Sequence, residues 1–234
     1  VERLELRGFD REELEEQLTG ILGEAPAPEL VDVLLERSDG LPFYVEELVA
    51  DAGRGSLRLP TTLREILGLR LATLSTESLA LVRAAAAIGG RIPHDHLAVA
   101  SGMADDALLT AVREGIEARI LVPGDSRDEP LYTFRHALLR EAAYDELIPA
   151  ERVRVHGRLA DSLEASMRAL PAPDPSIVAD FAVHAYHAHD LPRALRGSVR
   201  ALHALVDAVA YREAVDHAER ALELWPRVED AADC

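Results

Sequence analysis

The sequence predicts a mainly α fold carrying one short β-hairpin, on three observations. Apolar residues fill 48% of the 234 positions and aromatics only 4%, so alanine and leucine must supply the core. Small and aliphatic side chains in that proportion suit closely packed helices better than sheet. Apolar residues recur at helical spacing along most of the chain, between Gly and Pro breaks. Only Ile120-Leu121-Val122 and Leu131-Tyr132-Thr133-Phe134, joined through Pro123-Gly124-Asp125, read as paired strands.

Residues 1–56 predict a strand followed by a small helical bundle. Val1 to Phe9 alternates, with Leu4 and Leu6 on one face. Asp10 and Glu13 have the spacing of a capping box, Asp10 accepting the first amides and Glu13 reaching back. Leu14, Leu18, Ile21 and Leu22 follow at helical spacing. A second helix carries Leu30, Val33 and Leu34 and stops before Gly40. A third opens at Pro42 and carries Val45, Leu48 and Val49. Gly past a helix end tolerates left-handed backbone, and Pro suits the first helical turn. Gly53-Arg54-Gly55-Ser56 reads as a linker.

Residues 57–148 predict a winged-helix order of three helices and a two-stranded wing. Thr62 and Glu65 have capping-box spacing ahead of Ile66, Leu67, Leu69 and Leu71. Ser75 starts a helix through Leu79, Val82 and Ala84–Ala87 that Gly89-Gly90 stops. Helices over Pro93–Ala100 and Ala104–Ala118 precede the hairpin. A winged helix invites a DNA-binding reading, but the third helix sets Asp105, Asp106, Glu114 and Glu117 against Arg113 alone. That face repels a phosphate backbone, so packing against protein is the expectation.

From His136 onward the pattern is helical, broken at Pro149, Pro171–Pro175, Asp190-Leu191-Pro192 and near Tyr211. In the last helix, Ala214, Ala218 and Ala221 followed by Pro226 resemble the second helix of a tetratricopeptide repeat. Ala194, Ser198 and Ala201 carry the same small-residue spacing one helix earlier. Residues 149–234 are therefore expected to form antiparallel TPR-like repeats. Terminal repeats need a neighbour or a cap, so the array is expected to continue in a parent protein, with the termini as cut points.

Composition narrows the function. All 25 basic residues are arginine, and the formal charge is −17, which opposes nucleic-acid and anionic membrane surfaces alike. No apolar run reaches the roughly 18 residues that span a bilayer, and no signal sequence opens the chain; a cytoplasmic location is expected. The single cysteine, Cys234, leaves no intrachain disulfide or Cys-based metal site. Without lysine, a Gly-x-x-x-x-Gly-Lys-[Ser/Thr] phosphate loop cannot occur in this chain.

Two stretches carry a family resemblance. Arg37-Ser38-Asp39-Gly40-Leu41-Pro42-Phe43-Tyr44-Val45-Glu46-Glu47-Leu48 resembles the Gly-x-Pro element in the helical lid of signal-transducing AAA-like ATPases, the STAND class. Tyr132-Thr133-Phe134-Arg135-His136-Ala137-Leu138-Leu139-Arg140-Glu141 resembles the end of their winged helix, in the Phe-x-His-x-Leu-x-Arg-Glu form of bacterial LuxR-type regulators. Relative to the Met-His-Asp element of immune-receptor relatives, Arg135 replaces Met and Ala137 replaces Asp.

The resemblance implies that residues 1–56 are a strand and lid of the nucleotide domain, and that Gly40, Leu41 and Pro42 contact nucleotide through the proline on adenine. It also implies that His136 reaches the β-phosphate. It implies ADP or ATP with Mg in the parent protein, with none held tightly by this chain and no catalysis by it. Implied partners are the upstream ATPase core, further repeats, and a protein or small-molecule inducer at the repeats. The residue-level alternatives are an ordinary helix-start proline at 42, and a His136 that caps its helix or packs on the lid.

Other clusters read more plainly. His184 and His187 share a helical face, with His189 elsewhere and no acid or Cys to complete a metal set; they read as core or surface histidines. His94-Asp95-His96 reads as a loop fragment, and Arg152-Val153-Arg154-Val155-His156 as a solvated face, with contact to a neighbouring domain as the alternative. Adjacent acids such as Glu12/Glu13, Glu46/Glu47 and Asp105/Asp106 diverge around their helices and form no catalytic dyad. A helical scaffold for protein partners, without a nucleotide role, is the alternative function, and a DNA-binding winged helix a third.

Overall fold

A computed structural model describes residues 7–52, 59–126, 129–170, 172–229 and 231. Leu4 and Leu6 of the expected strand, the expected linker Gly53–Ser56, and Cys234 lie outside these residues. In chain order the elements are α1 (Arg11–Leu22), α2 (Pro28–Ser38), α3 (Pro42–Ala52), α4 (Thr61–Leu71), α5 (Thr76–Ile88), β1 (Ile92–Pro93), α6 (His94–Ser101) and α7 (Asp105–Glu117). They continue with β2 (Leu121–Pro123), β3 (Leu131–Phe134), α8 (Ala137–Asp145), α9 (Pro149–Ala169), α10 (Pro175–His187), α11 (Leu191–Asp207) and α12 (Tyr211–Leu224). The fold is mainly α with a short hairpin, as the sequence predicts. It divides into two compact units, Val1–Ile92 with Asp106–Glu146, and Pro93–Asp105 with Leu147–Cys234.

In the first unit, α1 begins with the expected capping box. The Asp10 carboxylate accepts from the amides of Glu12 and Glu13, and the Glu13 carboxylate accepts from the Asp10 amide. Leu14 and Leu18 enter the core while Ile21 and Leu22 are exposed. The expected box at Thr62 and Glu65 does not form. Pro60 is the N-cap of α4 and Thr62 lies inside the helix, where its hydroxyl no longer meets the free first-turn amides. The buried stripe of α4 is Leu63, Leu67 and Leu71, at intervals of four, which turns Ile66 and Leu69 to solvent.

Ser75 caps α5, and the Glu114 carboxylate of α7 reinforces that start by accepting from the Ser75 amide at 2.6 Å and the Ser78 hydroxyl at 2.6 Å. The Ser75 hydroxyl, which also donates to this carboxylate at 2.6 Å, and then the Ser78 hydroxyl and the Ser75 amide hold the Glu114 carboxyl below the usual carboxylate range. β2 and β3 pair antiparallel in the register Leu121↔Phe134, Val122↔Thr133 and Pro123↔Tyr132. β1 adds a strand that the sequence reading did not contain, in the order β1-β3-β2. Two residues are too few to show a period, so that strand had no signal. α8 packs on α2, α4, α5 and β3, burying Leu138, Leu139, Ala142 and Ala143.

In the second unit, α6 packs on α9, and α9, α10, α11 and α12 pack consecutively. Their short connections make neighbours antiparallel. Leu163, Met167, Phe181, Leu195, Leu205 and Leu224 form the core with small residues between them. Ala194, Ser198 and Ala201 are buried, as are Ala214 and Ala221. Gly197 lets α11 approach α10: a Cβ there would lie 3.0 Å from the Ala182 Cα and 3.0 Å from Phe181 Cδ1. The expected solvated face at Arg152–His156 needs correction. Val155 and His156 are buried, and His156 meets His184 of α10.

Candidate functional site

The joint between α2 and α3 rests on two successive left-handed residues, Asp39 at φ 51° and Gly40 at φ 69°. The Phe9 amide donates to the Gly40 carbonyl at 2.7 Å. A Cβ on Gly40 would lie 2.1 Å from the Phe9 carbonyl oxygen, and one on Gly8 would lie 2.2 Å from that of Asp39. Backbone therefore lies directly on backbone, a contact that only glycine allows at both positions. The buried Ser38 hydroxyl accepts from the Gly40 amide, and its carbonyl accepts from the Leu41 amide. Pro42 then starts α3, and its carbonyl accepts from Gln17 Nε2 at 3.3 Å. The other end of that carboxamide, Gln17 Oε1, is buried without a hydrogen-bond partner among the described residues.

The second motif begins where β3 ends. The Arg135 amide donates to the Ile120 carbonyl, and His136 takes the N-cap position of α8 in extended backbone. Its side chain caps nothing. Instead the Asp39 carboxylate, 97 residues earlier in the chain, lies 3.1 Å from His136 Nδ1 and accepts from the Ala137 amide at 3.3 Å. A carboxylate in this geometry only accepts, so Nδ1 carries the hydrogen and Nε2 is left as the ring atom without a hydrogen-bond partner among the described residues. Tyr44 of α3 meets the His136 ring edge-on, with centroids 6.3 Å apart. Burial pushes the Tyr44 phenol up from its ordinary range.

One turn into α8, Glu141 receives a forked contact from Arg37, Nε to Oε1 at 3.0 Å and Nη2 to Oε2 at 2.7 Å. The two family-like stretches thus hold each other twice, through Asp39–His136 and Arg37–Glu141. Of the nucleotide-contact residues that the resemblance implies, Gly40 is buried in the joint, Leu41 and Pro42 are half-buried, and His136 is placed beside the joint by Asp39. Reading by sequence assigned no role to Arg37, Asp39 or Glu141. The available signal at Asp39 was its place just before a helix-stopping Gly, where Asp tolerates left-handed backbone.

The histidines of the second unit form a separate cluster. His156 Nδ1 and His184 Nδ1 are 2.8 Å apart, and His187 stacks on the His156 ring at 4.8 Å. As expected, His184 and His187 share one face of α10, while His189 lies past the helix end with φ 59°. His156 is the member that sequence reading missed, because its partners lie across the α9–α10 interface. Burial, then the neighbouring His184 and His187, lowers His156 to about 3; burial, then His187 and His96, lowers His184 to about 4. Among the described residues no group of three or more His, Cys, Asp or Glu is arranged to hold a metal ion.

The sequence matches no protein-family model and no curated protein. Among the described residues, no helix is long and apolar enough to cross a membrane.

Proposed function

We propose that this chain is a regulatory segment of a nucleotide-switched STAND ATPase of the LuxR-type regulators, cytoplasmic and bacterial, in which the α2–α3 joint and His136 contact ADP or ATP held by a phosphate loop elsewhere in the parent protein. The observation that carries this reading is the Asp39–His136 contact, which sets the histidine of one motif beside the Gly40-Leu41-Pro42 joint of the other. The chain's residues fit part of a nucleotide. Half-buried Pro42 offers an apolar face to a base, and the unsatisfied Gln17 Oε1 is an acceptor beside it. At His136, Nε2 is available to a phosphate oxygen while Nδ1–H stays on Asp39. An imidazolium there would bridge two anions, so phosphate binding and the Asp39 contact would support each other. The phosphate grip and the Mg ligands belong to the rest of the parent protein, as does the output domain.

Calorimetric titration of ADP into the full parent protein tests the reading. His136→Ala is expected to weaken ADP by about tenfold, the value of one charge-assisted hydrogen bond. Equal affinity for wild type and His136→Ala would remove His136 from the site, and absence of ADP binding by the wild type would remove the whole reading.

A second reading, a scaffold for protein partners, has one observation in its favour. Tyr211, Val215 and Leu222 of α12 are exposed, as is Trp225 just past its end, and such a stripe suits a further helix or a partner protein.

A further inference from the structure

The outer side of α9–α11 carries a groove of about 470 Å³ whose chemistry is opposite to that of the chain as a whole. The protein has 42 acidic residues against 25 basic ones, yet α11 places Arg196, Arg200 and His203 on one face, at intervals of four and three, with Arg168 facing them from α9. Asp207 is the only acid in α11.

The floor of this groove is apolar, made by Met167, Phe181 and Val199. The Arg193 guanidinium lies 5.4 Å from the Phe181 ring centroid and fixes the buried ring from one side. Gly197, one turn further along α11, lets the helix backbone approach the same ring, since a Cβ there would lie 3.0 Å from Phe181 Cδ1. The one acid in the lining, Glu164, is already matched by Arg168 at 3.1 Å and Arg193 at 3.0 Å. Arg193 is matched in turn by Asp161 and Asp190. Arg196 and Arg200 make no ion pair among the described residues. Two uncompensated guanidinium groups thus stand over an aromatic and aliphatic floor.

We propose that this groove binds a small amphipathic organic anion, its apolar body on Met167, Phe181 and Val199 and its carboxylate between Arg196 and Arg200. The planar guanidinium fork matches a carboxylate in two parallel hydrogen bonds. The volume falls within the roughly 300–1,000 Å³ common for small-molecule sites, and a folded partner would need a much larger face. The site is independent of the nucleotide reading, because none of its residues belongs to the α2–α3 joint or to α8.

Calorimetric titration with octanoate, in the absence of nucleotide, tests the proposal. Octanoate is expected to bind and octylammonium, of equal length and opposite charge, to bind at least tenfold more weakly. The double variant Arg196→Glu/Arg200→Glu is expected to weaken octanoate by at least tenfold with an unchanged far-ultraviolet circular dichroism spectrum, since both side chains are exposed. Arg200→Gln is expected to give an intermediate loss. Arg212→Glu, an exposed reversal outside the groove, is expected to leave affinity unchanged. Octanoate binding that survives the double reversal, or falls equally with Arg212→Glu, would overturn the site. A ten-residue poly-glutamate peptide that binds through Arg196 and Arg200 where octanoate does not would overturn the small-ligand class in favour of an acidic segment. Binding of neither probe would also overturn the proposal.

Discussion

Arg37 at the end of α2 and Glu141 in α8, 104 residues apart, form a two-pronged ion pair with both side chains mostly shielded from solvent, at 17% and 27% exposure. Exposed ion pairs contribute little because water screens them and long side chains lose entropy. This pair has fork geometry and partial burial, so its coupling is expected at about 1–2 kcal/mol. A double-mutant cycle with Arg37→Met and Glu141→Gln, followed by urea denaturation, measures it. Coupling near zero would make the contact incidental to the fold.

Asp39 combines three roles that different substitutions separate. It takes left-handed backbone, caps α8 at Ala137, and orients His136. Asp39→Ala loses the cap and places an ordinary side chain in a left-handed conformation. The expected loss is about 1–3 kcal/mol. Asp39→Asn keeps an acceptor and tolerates the backbone, and is expected to lose less than half as much. Equal losses for the two variants in urea denaturation would show that charge, rather than capping and conformation, sets the contribution of Asp39.

Two glycines in this unit should respond with opposite sign. Gly40→Ala meets both a positive φ and the Phe9 backbone, and is expected to cost about 2 kcal/mol or more. Gly20 lies within α1 with nothing inside 4 Å of an added Cβ. There Ala relieves a helix-interior glycine, and a gain of about 0.5–1 kcal/mol is expected. Thermal or urea denaturation of both variants checks the pair, and a tolerated Gly40→Ala would show that the joint rearranges freely.

Much of this architecture was legible in the sequence because local rules determine it. Asp10 with Glu13, Ser75 before α5, and Pro42 at the start of α3 act within a few residues of themselves. The small residues Ala194, Ser198 and Ala201 predicted close helix approach through spacing alone. The failures were long-range or marginal. Thr62 and Glu65 had the right spacing, yet the helix begins two residues earlier, with Pro60 as its N-cap. Leu69 continues an apolar pattern but is 73% exposed, since the core side of α4 is set by its neighbours. For the candidate site, the two motifs were visible, but the side chains joining them were not. Nothing within either segment says that Asp39 reaches His136, or that Arg37 reaches Glu141. The same limit hid His156, which looks like part of a charged face until α10 covers it.

The buried imidazole pair of the second unit makes its stability depend on pH. His156 and His184 are neutral when folded, one Nδ1–H donating to the other Nδ1; His187 on α10 and Arg152 on α9 further disfavour a charge on His156, and His187 and His96 on α6 disfavour one on His184. Their folded-state values, about 3 and about 4, lie below the ordinary 6.5. Between those limits the unfolded chain therefore binds more protons than the folded one, and stability must fall as pH falls. The stabilisation is full above pH about 6.5 and is lost progressively toward pH 4 and then 3 as the pair takes up protons. Lowered values at His187 and His217 act in the same direction. Trp225, the only tryptophan of the chain, lies in this unit and reports its unfolding by fluorescence. Urea titrations from pH 7 to pH 4 are expected to show the midpoint falling steadily. His184→Gln should flatten that slope by up to about one proton while losing some stability at pH 7 through the broken Nδ1 contact. A slope unchanged by His184→Gln would show that the acid response arises elsewhere in the unit.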